Sequence, residues 1–494
     1  LIVTHDDTPF DSLDEESWRR DPKYDGTSER TTRRSRKAGQ ERKAVQTVET
    51  KPHDPRPPVF SDEALALRFA EFHAGDLRYV AAWNKWLSWN AACWQFDTTL
   101  AALDEARKIC RTAAAGCNKP KLAAALASGK TVAAVIGLAR SDRRLAATVE
   151  QWDTDPWASN TPDGVIDLHI GKLRSHCSAD YMTKITAVAP DSKCPIPTWR
   201  AFLERVTGGD IELVGFLQRM CGYALTGATR EHALFFLHGV GANGKSTFIN
   251  VLTGIVGDYH RTAPIETFVA SHTDHHPTDL AGLRGARLVT SVETEEGRRW
   301  AESKIKALTG GDKIAARFMR QDFFEFVPTF KLVIAGNHKP GLRSVDEAIR
   351  RRFHLIPFNV VIPPQERDDK LGDRLRAEWP GILAWMIEGC MQWQQIGLAP
   401  PEAVTSATEA YLQAEDALSA WMDEQCIREL DAWENTTTLY AAWKAWADKA
   451  GEYAGTMRRF AQTLEMRGLT YERRKKARGF RGVRLLGDAG QEQW

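Results

Sequence analysis

The chain is short of several things that would define it at once. It has eight cysteines in 494 residues, scattered and without a C-x-x-C pair. That pattern argues against a zinc ribbon or a disulfide framework and fits reduced, mostly buried thiols in a cytosolic protein. No apolar run reaches the roughly 18 residues that would suggest a membrane span. Nothing at the start has the make-up of a secretory signal. The first residue is Leu rather than Met, as in a fragment of a longer product. Excess charge is also missing: 66 Lys and Arg balance 65 Asp and Glu, for a net charge of +1. Affinity for a polyanion must therefore come from local patches. No internal repeat is visible. What is present is a hydrophobic content of 43%, and a length that suits roughly three domains of about 150 residues each.

Composition divides the chain. Residues 1–58 are polar and charged, with a basic run, SERTTRRSRKAGQERK, and a proline-rich stop, KPHDPRPP. Such a segment cannot bury enough surface to offset the entropy of ordering, so a disordered tail or linker is expected. Its basic run could touch nucleic acid; a solvated linker is the plainer reading. Residues 59–200 form an expected α+β module: a capped helix, SDEALALRFAEFHAG, strand-like alternation through Trp83, Trp86, Trp89 and Trp94, alanine-rich helices, then short strands around NTPDGVIDL. The tryptophans could stack bases, but core or hairpin packing is the commoner use. Residues 201–365 form an α/β unit with a helical lead-in. Residues 366–425 are helical, with Pro380 breaking or starting a helix. Residues 426–494 form a basic terminal block.

Chemistry enters at FFLHGVGANGKSTF. An apolar strand, Phe235 to Leu237, runs into Gly239-Val-Gly-Ala-Asn-Gly244-Lys245-Ser246, and a helical pattern follows. This is the G-x-x-x-x-G-K-[ST] phosphate loop in its strand–turn–helix setting. Gly241 and Gly244 let the backbone approach phosphate oxygens, while amides and the helix N-terminus supply donors and positive potential. Lys245 would sit on the β- and γ-phosphates and Ser246 on Mg²⁺. The nucleotide-binding set is thus Gly239, Gly241, Asn243, Gly244, Lys245, Ser246 and Thr247.

About fifty residues on, the strand Leu288 to Val292 ends in Glu293, with Glu295 close behind. A carboxylate at the C-terminal end of such a strand lies near the nucleotide. It can help hold Mg²⁺ and orient the attacking water. A third apolar strand, Phe330 to Ala335, closes on Asn337, whose amide suits a γ-phosphate sensor. Next, DEAIRRRFHLIPF places Arg350, Arg351 and Arg352 between a short helix and a strand. One of them, Arg351 or Arg352, could stabilise charge on a neighbouring subunit's ATP; surface salt bridges are the plainer alternative. Between acid and sensor, two strand-like arms flank Arg320-Gln321-Asp322. A cation beside aromatic residues at a hairpin tip suits a single nucleic-acid strand, although charged tips also serve solubility.

The terminal block reads as helix, turn, helix, hairpin, the order of a winged helix. Arg458 and Arg459 open the second helix, and Arg473, Arg474, Lys475 and Lys476 crowd the hairpin. That density of cations suits DNA phosphates; a solvated or protein-docking hairpin is the alternative. The loop SHTDHHP has metal-like spacing, but a polar loop is the plainer reading.

Taken together, GVGANGKST, ARLVTSVETEEGRR, KALTGGDKIAAR, FFEFVPTFKLVIAGNHKP and DEAIRRRFHLIPF resemble the superfamily III helicases. The resemblance is to those of phage and plasmid replicative primase–helicases and their poxvirus-type relatives. DLRYV, DPWASNTPDGVIDL and GKLRSH resemble the module that precedes this helicase. The resemblance implies an AAA+-like ATPase forming a ring, usually a hexamer, with ATP sites at subunit boundaries and 3′-to-5′ movement on single-stranded DNA. It implies Lys245 and Ser246 as the phosphate-loop pair and Glu293 or Glu295 as the acid. Asn337 is then the sensor, Arg351 or Arg352 the trans arginine, and Lys306 and Arg320 the DNA contacts. A primase is often found upstream in this family. The first 200 residues show neither an acidic polymerase triad nor a zinc motif, so primase activity does not carry over unless a primase precedes Leu1 in a longer product.

The expected fold is therefore α/β: an AAA+-like P-loop core with an N-terminal α+β module and a C-terminal winged-helix-like domain. The expected function is an ATP- and Mg²⁺-dependent DNA helicase for replication of a phage, plasmid or mobile element. Its partners would be single-stranded and duplex DNA, further copies of itself and other replication proteins such as a primase. It would work in a bacterial host's cytoplasm, with no membrane. An ATP-switched replication initiator or loader shares every motif, and a small-molecule kinase shares only the loop.

Overall fold

The structure is a computed structural model that describes residues 57–270, 278–292, 298–320, 322–342, 345–474 and 477–486. Glu293, Glu295, Lys475, Lys476, the SHTDHHP loop and the expected N-terminal tail as far as residue 56 lie outside the described residues.

The N-terminal module opens on α1 (Asp62–His73), whose first turn is capped by Ser61 accepting from the Ala64 amide at 3.2 Å. Strands β1 (Leu77–Val80), β2 (Lys85–Trp89) and β3 (Trp94–Phe96) follow. Helices α2 (Ala101–Ala115), α3 (Pro120–Leu126) and α4 (Gly129–Ala139) lead to β4 (Ala146–Ala147). The sheet order is β3-β2-β1-β4. Trp86 and Trp94 are buried in this module, Trp83 and Trp89 partly so. Its largest core joins α1, α2 and α4 to β1 and closes at Leu145.

A small antiparallel sheet follows: β5 (Ala158–Thr161), β6 (Gly164–Asp167) and β7 (Lys172–Arg174). Composition placed it in the N-terminal module, which it touches where the Asn160 side-chain amide donates to the Ala92 carbonyl at 2.9 Å; it also packs on the next unit. Ile166, Leu168, Ile196 and Trp199 join the large core around the phosphate-loop helix. The Asn160 amide donates to the Tyr259 hydroxyl at 2.9 Å. Turn signals reveal where a strand stops, not which core receives its side chains.

Helices α5 (Pro197–Thr207) and α6 (Ile211–Leu225) lead into the main sheet. Its elements are β8 (Leu234–His238), α7 (Lys245–Val256), β9 (His260–Thr262), α8 (Thr278–Ala281) and β10 (Leu288–Val292). There follow α9 (Glu302–Gly310), a hairpin of β11 (Ile314–Ala316) and β12 (Phe324–Phe326), β13 (Lys331–Gly336), α10 (Glu347–Arg350) and β14 (Phe353–Pro357). The five strands of this sheet are all parallel, in the order β14-β8-β13-β10-β9. A parallel sheet is covered on both faces, which is why these strands read as continuous apolar runs. Phe235, Leu237, Val333 and Ile356 face one core; Leu234, Phe236, Leu332 and Leu355 face the other.

Helices α11 (Leu371–Ala377), α12 (Trp379–Ile396) and α13 (Glu402–Ala414) complete this body. Pro380 sits in the first turn of α12, where its missing N–H costs nothing, so it starts the helix. Helices α6 and α12 cross at backbone distance. A Cβ on Gly222 would lie 2.0 Å from the Cys390 nitrogen, and one on Gly389 would lie 2.1 Å from the Gln218 carbonyl.

The terminal block has its own core, which begins earlier than composition indicates, at α14 (Ala417–Gln425) with Trp421 and Met422. It continues through β15 (Cys426–Ile427), β16 (Trp433–Asn435), α15 (Thr436–Ala450), α16 (Met457–Met466), β17 (Thr470–Arg474), β18 (Ala477–Arg481) and β19 (Arg484–Leu485). Asn435 and Thr456 cap α15 and α16. Strands β16, β18 and β17 make a three-stranded antiparallel sheet. Among the described residues no single helix is long and apolar enough to cross a membrane.

Candidate nucleotide site and nucleic-acid surfaces

In an open parallel sheet, ligands bind beyond the carboxyl ends of the strands, where the strand order reverses. Here β8 lies between β14 and β13, and the glycine loop Gly239–Gly244 leaves its carboxyl end. Gly241 and Gly244 have φ of +102° and +86°, the left-handed region that favours glycine. Gly239 is required for space: a Cβ there would sit 2.2 Å from the Phe358 carbonyl oxygen. Asn243 is buried and donates to that same carbonyl at 2.9 Å, pinning the loop to the end of β14.

Lys245 opens α7 and is only 6% exposed. Its ammonium donates to the Gly239 carbonyl at 2.6 Å, to Asn243 Oδ1 at 3.1 Å and to Asn337 Oδ1 at 3.0 Å. Burial holds its pKa below the ordinary lysine value. Asn337 stands one residue past β13, so two motifs 92 residues apart meet at one nitrogen. Ser246 is exposed in the first turn of α7, and Thr247 is half-buried. Strand β10 ends at Val292, opposite Ala335 of β13, which brings the chain to the same edge just before Glu293. His238 closes β8; burial, then Lys339 and Lys245, press its imidazole down to about 4. Sequence reasoning quoted the stretches holding His238 and Lys339 but gave neither residue a role.

The three consecutive arginines diverge. Arg350 grips both carboxylate oxygens of Glu409, at 2.7 and 2.6 Å. Arg352 turns inward, 7% exposed, donating to Thr309 Oγ1 at 3.2 Å and to the Ala348 carbonyl at 2.8 Å. Arg351 is exposed and has no side-chain partner among the described residues. Of the two arginines expected as trans candidates, Arg351 is thus the exposed one and Arg352 the buried one.

The hairpin pairs Ile314 with Phe326 and Ala316 with Phe324. Its tip exposes Phe318 (42%), Met319 (69%) and Phe323 (59%) beside Arg317 and Arg320. Phe318 stacks on Phe324, and the Arg317 guanidinium lies 4.8 Å from the Phe323 ring centre. Arg320 takes a left-handed backbone, with φ of +62°. Lys306, expected as a DNA contact, lies 2.5 Å from Asp346.

In the terminal block Arg458, Arg459, Arg473 and Arg474 are exposed. Arg473 lies directly across from Arg478 on the neighbouring strand. Like charges in that register repel unless an anion intervenes. Arg474 is partly neutralised by Glu472 at 3.3 Å.

Two protein families match the chain. Residues 66–208 match the family described as "D5 N terminal like", and residues 237–352 match a "Family of unknown function (DUF5906)". The chain is 24% identical over 290 residues to "Putative helicase L207/L206" of Acanthamoeba polyphaga mimivirus, covering 54% of this chain and 30% of that protein. It is 24% identical over 294 residues to "Putative helicase 022R" of Frog virus 3, with the same coverages of 54% and 30%. The matches thus span about a third of these relatives' lengths. Among solved structures, the apo C-terminal region of NrS-1 aligns at 11% identity and a TM-score of 0.47, covering 86% of this chain and all of that one. Over about half of its length the chain is thus similar to viral proteins named as putative helicases, and its N-terminal part matches a D5 N-terminal-like family.

Proposed function

We propose that this chain is an ATP-driven DNA helicase that assembles into a ring, an AAA+-like hexamer, and moves on single-stranded DNA during replication of a phage, plasmid or related element. The observation that carries this reading is Lys245 bridging the glycine loop and Asn337 at the carboxyl edge of the parallel sheet. A partly desolvated cation at a helix start, beside a glycine loop, suits a phosphate. The β- and γ-phosphate oxygens would replace its present oxygen partners. Asn337, released from Lys245, would then contact the γ-phosphate and the attacking water.

The exposed Ser246 hydroxyl with the Glu293 or Glu295 carboxylate is a hard-oxygen set suited to Mg²⁺, which when bound neutralises phosphate charge. In hydrolysis, the water oxygen bonds to the γ-phosphorus as the bridging P–O bond to ADP breaks. The Glu293 carboxylate orients that water. Arg351 of the adjoining protomer faces the charge that develops. The aromatic and cationic hairpin tip suits single-stranded DNA in the ring's channel. The winged-helix-like block offers Arg458, Arg459, Arg473, Arg474, Lys475 and Lys476 to duplex phosphates.

Lys245→Ala should bind DNA yet neither release phosphate from ATP nor unwind a forked duplex. Full ATPase activity in that variant would remove the assignment. The basic terminal block also suits an initiator or loader, and strand displacement on the same fork separates the two.

A further inference from the structure

Asp346 uses its two carboxylate oxygens for different purposes. Oδ1 accepts from the Ile349 amide at 2.9 Å and so caps α10. Oδ2 meets the Lys306 ammonium of α9 at 2.5 Å. Helix α10 is four residues long, too short to be stable unless something external fixes it. A second link lies one turn along α9, where Thr309 Oγ1 accepts from Arg352. Helix α9 therefore holds the arginine segment at two points. Its other end passes through Gly310 and Gly311, the latter at φ +82°, straight into β11 and the hairpin. On the far side, Val345 lines a cavity shared with Arg459 of the basic terminal block.

We propose that Asp346 is a positioning residue. Paired with Lys306, it fixes the short helix that presents Arg351 to the neighbouring protomer, and so relays the state of the DNA hairpin to the neighbour's ATP. The relay rests on the ring-helicase reading. It assigns Lys306 to the arginine segment rather than to DNA. Burial alone would raise the Asp346 pKa, but the bonds from Lys306 and the Ile349 amide hold it below the usual carboxylate range. The carboxylate is therefore ionised at neutral pH and the pair is a true ion pair.

The test uses the full chain with ATP and an oligothymidine strand. Asp346→Asn keeps a capping oxygen but loses the charge; Lys306→Met leaves the cap intact and serves if the first variant folds poorly. Each should lower the DNA-stimulated kcat by roughly ten- to a hundredfold, the range a small misplacement of a reacting group costs. ATP KM and strand affinity should stay within about twofold. The double variant should be no worse than either single one. Mixing Asp346→Asn with Lys245→Ala protomers should raise ATP turnover, because the second protomer offers an intact arginine to the first one's ATP.

Weakened strand binding by Lys306→Met with a shallower salt dependence and normal kcat would make Lys306 a phosphate contact and overturn the proposal. So would additive losses, or no gain on mixing. Lys245→Ala, run alongside, separates the failures: if it hydrolyses ATP, the nucleotide-site reading itself falls.

Discussion

Asn243 shows how little slack the nucleotide loop has. Its amide donates to the Phe358 carbonyl and its oxygen accepts from Lys245, all out of contact with water. Asn243→Ala would leave a buried carbonyl unpaired and Lys245 one acceptor short. A loss of about 1–3 kcal/mol is expected, read as a lower urea midpoint, together with a raised KM for ATP. The loop was legible because its glycines have separate physical reasons, two for positive φ and one for space, that no other residue satisfies. The choice among the arginines was not. Which of three adjacent guanidinium groups turns inward depends on Thr309 and on the Ala348 carbonyl, and Thr309 is distant in sequence.

At the scale of elements, strand positions came through well. The expected strands at 288–292 and 330–335 are observed at Leu288–Val292 and Lys331–Gly336, since burial on both faces leaves an unbroken apolar run. The hairpin was visible as two arms with aromatic residues beside a cationic tip, but periodicity did not say how far Phe318 and Phe323 face solvent. Phe318→Ala and Phe323→Ala should each weaken single-strand binding by about 1–3 kcal/mol without changing its salt dependence. Arg320→Ala should instead flatten the salt slope by about 0.7. Fluorescence anisotropy across a salt series distinguishes these outcomes.

The same sheet carries an acid sensitivity. His238, His260 and His354 are each pressed down to about 4, first by burial, against about 6.5 in an unfolded chain. Below pH 6.5 the unfolded chain takes up protons that the folded one refuses. The stabilisation is complete above that pH and fades as pH falls toward 4. Stability should fall between pH 6.5 and 5 by up to about 1.4 kcal/mol per pH unit for each imidazole, read as a lower melting temperature. His354→Phe, placed against Phe235, should make that drop shallower.

Over the whole molecule, composition located the segments but not their allegiance. Ile166, Leu168, Ile196 and Trp199 and the helices from 371 to 414 pack with the central sheet, Tyr181 packs on the N-terminal tryptophans, and α14 belongs to the terminal core. Such long-range partnerships are set by shape, which a local pattern does not record. The terminal core carries the opposed pair Arg473 and Arg478. Arg473→Glu with Arg478→Glu should lower duplex affinity and reduce the salt slope by about two. Single-strand-stimulated ATPase should be preserved.

The bare crossing of α6 and α12 has a mechanical meaning. With Gly222 and Gly389 set backbone against backbone, nothing compressible lies between the two rods, so they must turn as one beam. Even a single added methyl at the crossing would act as a shim, throwing the beam out of true.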